Sequence, residues 1–236
     1  MAVVGSINAE GCGRLVAEAK FIVQRDTCMS MSGRTGDFKE AKVPIEDGLV
    51  VRRLYAKDVD VFRRMRLEAL SHEPFSYASV FGDWANLSDR QWRQHLNQPV
   101  FVAFLDGQPV GMMGLRFENA RKMAHRAKLV SVYVRKCKRG SGVAANLLRA
   151  VADHAQAHGI LQLELAVNAE NSEAIRFYER QGFMAVGRIP DGFIGHGSKH
   201  DELIMVLRLA PPFGPGEIFI RTVPESQKQT FPSSVR

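Results

Sequence analysis

One segment constrains this chain more than any other: a β-prone run that stops at Val134, a basic glycine-containing turn, and then a helix with an apolar stripe. It reads Val132-Tyr-Val-Arg-Lys-Cys-Lys-Arg-Gly-Ser-Gly-Val-Ala-Ala145. Gly140 and Gly142 let the backbone turn tightly and approach a ligand closely. A helix opening near Ser141 leaves its first N–H groups without internal partners, aimed at whatever lies above them. Together with the helix dipole and the cations Lys136, Lys138 and Arg139, that is a place for a phosphate or diphosphate. Taken alone, the turn is equally well a simple strand-to-helix connection, because isolated glycine motifs are weak signals.

Two patterns fit the loop. Gly140-x-Gly142-x-x-Ala145 has the form of a dinucleotide fingerprint, and an NAD(P)-binding oxidoreductase would follow from it. Against that reading, five residues separate Val134 from Gly140, and Glu164 falls inside the next strand rather than at its end. Four elements also precede a motif that usually opens its domain. The other pattern is Arg139-x-x-Gly142-x-Ala144.

The flanking sequence supplies the frame. Leu49–Tyr55 reads as a strand, and Ala56-Lys-Asp58 opens a helix with Val59, Phe62, Met65, Leu67 and Leu70 on one stripe, ended by Pro74. Ser88 caps a second helix carrying Trp92 and Leu96. Val100–Leu105 and Pro109–Phe117 are strands joined by an Asp106-Gly107 hairpin turn, and Ala127–Val134 follows. The helix from about 141 to 158, with Val143, Leu147, Leu148, Val151 and Ala155 inward, is closed by Gly159. Ile160–Val167 is a buried strand. Asn171 or Ser172 caps a short helix closed by Gly182, and Phe183–Ile189 and Glu202–Leu209 are the last strands. The expected fold class is α/β, an α+β layered arrangement, over one domain from 48 to 210. Residues 1–47 are poorly patterned and are expected to form a weakly ordered extension. The Pro/Ser-rich residues 211–236 are expected to form a loosely ordered tail.

Composition narrows the class. No apolar run is long enough to span a membrane, and the N-terminus lacks a convincing secretory signal. The three cysteines, Cys12, Cys28 and Cys137, have neither metal nor redox spacing, which suits free thiols in a cytoplasmic protein. The net charge of +7 suits a phosphate-bearing partner, but the cations are scattered, with no basic helix face and no interleaved aromatics of a nucleic-acid binder.

Taken jointly, these motifs resemble the GNAT superfamily of acetyl-CoA-dependent N-acetyltransferases. Val132-Tyr-Val134 with Arg139-Gly-Ser-Gly-Val-Ala144 resembles its cofactor motif. Asn168-Ala-Glu-Asn171 through Tyr178 to Gly182-Phe183 resembles the segment after it, and Asp201–Leu209 resembles the closing strand. The resemblance implies a mixed, mostly antiparallel central sheet flanked by helices. It implies that Val132, Tyr133 and Val134 offer backbone groups to the pantetheine arm. Arg139, Gly140, Ser141, Gly142, Val143 and Ala144 would cradle the phosphates, with Asn171 contacting the cofactor. An amine, from a small molecule or a peptide, would attack the thioester directly, with a backbone N–H on the Val132–Val134 strand stabilising the oxyanion. Tyr178 would protonate the leaving thiolate. A tyrosine on an apolar helix stripe is usually core, and Asn171 is most economically a cap. No metal is implied, nor a nucleic-acid or membrane partner, and a homodimer is an open arrangement. Glu118, His125 and Glu164 are candidate bases; none rises above a solvated polar residue. His196 and His200 could line the acceptor side, as could Phe75, Tyr77, Phe81 and Trp84 in the Pro74–Leu87 loop. A non-catalytic acyl-CoA sensor is the remaining alternative.

Overall fold

In the computed structural model, the described residues are 48–195 and 197–210. The expected extension at 1–47, the tail at 211–236 and His196 lie outside them. β1 (Leu49–Arg53) leads to α1 (Val59–His72), whose inward face is Val59, Phe62, Met65, Arg66, Ala69 and Leu70. That spacing of three and four residues is what a buried helix face requires. Leu67, expected in the stripe, is only half-buried, and the inward position beside it belongs to Arg66. After a tight turn at Pro74–Ser76, the aromatic stretch read as loop forms a short α2 (Phe81–Ala85). Ser88 caps α3 (Asp89–His95) as expected: its Oγ accepts from the Gln91 N–H, and its own N–H donates to Gln91 Oε1 at 2.9 Å.

β2 (Val100–Leu105) and β3 (Gln108–Phe117) are joined by Asp106 and Gly107, with φ of 49° and 74°. Both values are left-handed, as the tight hairpin turn demands. β4 (Arg126–Val134), α4 (Val143–Ala157), β5 (Gln162–Asn168), α5 (Ser172–Arg180), β6 (Met184–Gly195) and β7 (Ser198–Arg208) complete the order. Among the described residues seven strands lie in the order β1-β2-β3-β4-β5-β7-β6, and the single parallel contact there is β4–β5, bridged by α4. The sheet is therefore mixed and mostly antiparallel, with helices on both faces.

Strand alternation divides the core into two layers. Met112 faces Phe62, Met65, Trp92, Val102 and Tyr133 beneath α1 and α3. Its neighbour Met113 faces Leu147, Val151, Leu163 and Met205 beneath α4. Burying each such side chain is worth about 1.5–3 kcal/mol, so the sheet holds the helices through these layers.

One expectation is overturned at the last hairpin. The glycines between Asp191 and His200 suggest a glycine-rich loop, yet β6 and β7 continue into it from both sides, pairing Phe193 with His200, Ile194 with Lys199 and Gly195 with Ser198. A register shift between Ile189 and Phe193 accommodates Pro190, which has no N–H to give the ladder. At Gly192 a Cβ would lie 2.8 Å from Glu202 Cγ, so the glycine is there for close approach of the strands, not for a loop. No described helix is long and apolar enough to cross a membrane.

Candidate functional site

β4 and β5 pair over three residues only: Arg126 with Gln162, Ala127 with Leu163, Lys128 with Glu164. Beyond that point β4 stays with β3 as far as Val134, while β5 stays with β7 as far as Asn168. The sheet opens into a wedge whose rims are Leu129–Val134 and Leu165–Asn168. A bulge in β4 marks the opening. Met112 pairs with Tyr133 and Gly114 with Val130, so Ser131 and Val132 together oppose one residue of β3. Ser131 has φ 53°, an uncommon value for a non-glycine residue. Gly111 lets the strands stay close there, since a Cβ would sit 3.0 Å from the Tyr133 carbonyl oxygen.

The wedge strands carry backbone groups that need partners. The Arg135 N–H donates to Val110 O at 2.9 Å, so alternation turns the Val134 peptide groups away from β3 and into the wedge. Val134 O accepts from Arg139 Nε at 3.3 Å, and Val132 O accepts from the Tyr77 hydroxyl at 2.7 Å. Tyr133 departs from its expected role. Its backbone pairs with β3, so its peptide groups are not offered to a ligand, and its phenol points to the α1 side. There the hydroxyl donates to Glu68 Oε1 at 3.2 Å, and Arg135 grips the same carboxylate at 2.7 and 2.8 Å. Burial pushes Glu68 up, but the bonds from Arg135 and Tyr133 outweigh it and hold the carboxyl below its usual range.

At the top of the wedge, Gly140 and Gly142 have φ of 79° and 87°. Gly142 is the residue before α4, and no side chain caps the helix. The first intrahelical bond is Asn146 N–H to Gly142 O, which leaves the N–H groups of Val143 and Ala144 at an open helix start. The space a Cβ would take at Gly140 is empty to 4 Å. Ser141 Oγ donates to Lys138 O at 3.0 Å and so belongs to the turn. Val143 is buried, so only its backbone can meet a ligand. Arg139 is held by Glu73 from the end of α1 and lies 3.8 Å from Glu173 of α5. Cys137 is exposed.

Tyr178 lies on α5 with 6% of its surface exposed, edge-on to Phe177 and Phe183. Burial pushes its phenol well above the ordinary tyrosine range, and its hydroxyl makes no hydrogen bond among the described residues. Tyr77 is also pushed up by burial; the Arg66 charge opposes that shift, and Tyr178 is among the neighbours that add to it. Asn171 Oδ1 caps α5 through the Ala174 N–H at 3.1 Å, and Asn168 Oδ1 holds the preceding turn through the Glu170 N–H at 2.9 Å.

The candidate bases fall elsewhere. Glu164 is bound by Arg126, and Glu118 lies 3.2 Å from Lys128. His125 is exposed beside them. All three sit at the closed end, where β4 and β5 pair. His200, on β7, lies apart from them. Its ring lies between Phe75 and Phe193, Nδ1 is 3.3 Å from Glu170 Oε2, and Nε2 is buried without a partner. Arg66 and Glu68 were not singled out from the sequence, although the three-and-four spacing of α1 already turned position 66 inward.

Comparison with known proteins bears on this geometry. The model of the acetyltransferase (GNAT) family matches residues 64–183. An L-methionine sulfoximine/L-methionine sulfone acetyltransferase of Pseudomonas aeruginosa is 35% identical over 81 residues, which is 34% of this chain and 47% of that protein. The chain therefore matches about half the length of that relative. A GNAT-family acetyltransferase from Streptococcus pneumoniae superimposes with a TM-score of 0.62 at 24% identity, over 69% of this chain and 99% of that one. A phosphinothricin acetyltransferase from Sinorhizobium meliloti, solved in complex with acetyl-CoA, gives a TM-score of 0.60 at 18% identity, over 69% and 89%. At these identities the two structures speak for the fold.

Proposed function

Because the chain belongs to the acetyltransferase (GNAT) family, we propose that it is an N-acetyltransferase moving an acetyl group from acetyl-CoA to an amine of a small molecule or peptide, by direct attack in a ternary complex. The observation that carries this reading is the wedge between β4 and β5, opening directly below an uncapped, glycine-flanked helix start. The residues suit the cosubstrate. The amides from Gly142 to Ala144 and the open space over Gly140 fit a diphosphate, and Arg139 would turn to it from Glu73. The Val132 and Val134 peptide groups would run beside the pantetheine arm. Bound there, acetyl-CoA supplies an activated thioester.

Each remaining role falls to a residue of this chain. The Val134 N–H is aimed into the wedge, where it can donate to an oxygen gaining negative charge. Tyr178 Oη carries a proton that burial keeps in place and that no acceptor among the described residues competes for, which suits a general acid. His200, oriented by Glu170 through Nδ1, offers Nε2 to take the proton from the incoming ammonium. Asn171 acts chiefly as the α5 cap. The reading calls for no metal, and it places the protein in the cytoplasm, where acetyl-CoA is made available and an exposed thiol such as Cys137 stays reduced.

Thermal unfolding with acetyl-CoA, CoA and NAD(P) tests the reading. A ligand that binds only the folded state at a hundredfold over its Kd stabilises by about 2.7 kcal/mol, so CoA should raise the melting temperature by roughly 5–10 °C. Stabilisation by NAD(P) without any by CoA would overturn it.

A further inference from the structure

Two charged side chains are buried among the described residues, Arg66 and Glu164. Glu164 has its counter-charge in Arg126. Arg66 has none. It is 4% exposed, it makes no ion pair or hydrogen bond among the described residues, and Nε and Nη1 are sealed from solvent without a partner. A lone buried guanidinium is costly, and chains keep one where something else completes it. Burial lowers its pKa to about 10, opposed only by Tyr77, so it stays charged at neutral pH. Two rings cover it, Tyr77 with the guanidinium carbon 4.8 Å from its centroid and Trp84 at 4.4 Å. Rings stabilise the flat faces of a guanidinium and leave the N–H groups around its edge unused.

Its position says what kind of anion would complete it. Tyr77, stacked on Arg66, donates its hydroxyl to Val132 O on the rim of the wedge. One phenol thus separates the guanidinium from the strand beside which acetyl transfer is placed. Arg66 is on the α1 side of the sheet, while α4 and its open N-terminus are on the other. An anion reaching Arg66 therefore arrives with the acceptor and not with the diphosphate.

Resting on the acetyl-transfer reading of the wedge, we propose that Arg66 anchors the carboxylate of the acceptor, and that the acceptors are small amines carrying a carboxylate, α-amino acids foremost. A guanidinium meets a carboxylate with two parallel N–H···O bonds in one plane, a match that lysine or a neutral donor lacks. The aromatic surroundings exclude water and strengthen the pair. This assignment also separates the two acceptor classes left open above. The first residue of a peptide has an amide where a free amino acid has its carboxylate, so the N-terminus of a peptide would leave the guanidinium unpaired.

The test measures release of free CoA thiol with each proteinogenic α-amino acid against its carboxamide. A site whose buried polar group is satisfied by one substrate and stranded by its analogue discriminates strongly, so at least about a tenfold preference for acid over carboxamide is expected in kcat/KM. Equal use of the two, acetylation of carboxamides or simple amines alone, or no acid acetylated at all, overturns the proposal. Arg66→Lys keeps the charge and loses the fork, and Arg66→Met keeps the bulk between the rings. In whichever variant retains a wild-type-like melting profile, the acid-to-carboxamide ratio should fall to within about threefold. An unchanged ratio counts against Arg66. CoA-induced stabilisation, read separately, distinguishes the two failures: present without an acid preference, it sinks only the role of Arg66, and absent, it removes the wedge reading beneath it.

Discussion

Replacing Tyr178 by Phe separates a core tyrosine from a catalytic one. The ring is buried between Phe177 and Phe183, and its hydroxyl makes no hydrogen bond among the described residues. Removing that oxygen breaks no hydrogen bond among the described residues and leaves the packing volume nearly unchanged, so stability should move by less than about 1 kcal/mol. The diphosphate cradle is built from α4 amides, so acetyl-CoA affinity should hold. Turnover is another matter. Loss of a general acid costs about 10²–10⁴-fold, or roughly 2.7–5.4 kcal/mol of transition-state stabilisation at 1.36 kcal/mol per decade. Steady-state release of CoA thiol with an amino-acid acceptor measures kcat, and calorimetric titration with CoA measures affinity. The pH profile adds a second readout. Burial raises the Tyr178 pKa, so the phenol stays protonated across the neutral and mildly alkaline range, and the wild type should show no alkaline loss of kcat below about pH 10 from this group. An unchanged kcat in the variant at every pH would refute the reasoning and return Tyr178 to the core. A fall in kcat matched by a fall in CoA affinity would refute it too, because the defect would then lie in binding.

Three further outcomes follow from the same geometry. Gly142→Glu should abolish CoA binding in calorimetry, because it puts an anion at the phosphate position and forces a side chain onto φ 87°, at a cost of about 1–2 kcal/mol in apo stability; retained binding refutes the cradle. His200→Gln should lower kcat by about 10²-fold with CoA affinity intact, and equal turnover removes His200 as proton acceptor. Glu164 is held below the usual carboxylate range, first by the Arg126 hydrogen bond against the opposing effect of burial. Its stabilisation is therefore present above the unfolded-state value near 4.3 and is lost as pH falls through the lower folded-state value. Glu164→Gln should cost roughly 1.5–3 kcal/mol in denaturant unfolding at pH 7, with the gap from wild type closing on acidification; a gap independent of pH refutes the linkage.

What was legible in the sequence is what the backbone settles locally. Asp106-Gly107, Gly159, Gly182 and Ser88 act over two to four residues, and each does in the structure what its residue type requires. The glycine loop is of the same kind, since its left-handed residues sit at the positions where glycine was read. Errors arose where a local cue competed with a long-range one. Pro190, Gly192 and Gly195 look like a loop, but the β6–β7 pairing overrides them, absorbing the proline in a register shift and using Gly192 for a close strand contact, and only Gly197, with φ 80°, keeps its turn. The wedge was not legible in position, because both of its strands read as continuous. Where they part depends on a bulge at Ser131, a residue with no intrinsic preference for φ 53°.

Arg66 shows a third kind of illegibility, and the most instructive. Helical spacing turns position 66 inward, whereas hydrophobicity favours Leu67 for the stripe. Period and chemistry gave opposite answers at neighbouring residues, and period won. A chain that folds by burying apolar surface has no reason to bury an unpaired cation there, and Leu or Met at position 66 would fill the same space between Tyr77 and Trp84 without the desolvation cost. Conflicts between local rule and fold tend to gather at working sites. Here the strained Ser131, the unbonded Tyr178 hydroxyl, the unpartnered Nε2 of His200 and the lone guanidinium of Arg66 all lie around one opening in the sheet. Each is a small penalty to the empty protein. The last three would be met by the two molecules of the ternary complex, acetyl-CoA with its thioester and an acceptor carrying an amine and a carboxylate, while the bulge at Ser131 marks where the strands part to admit them. Four such features around one opening read as one site rather than as unrelated defects.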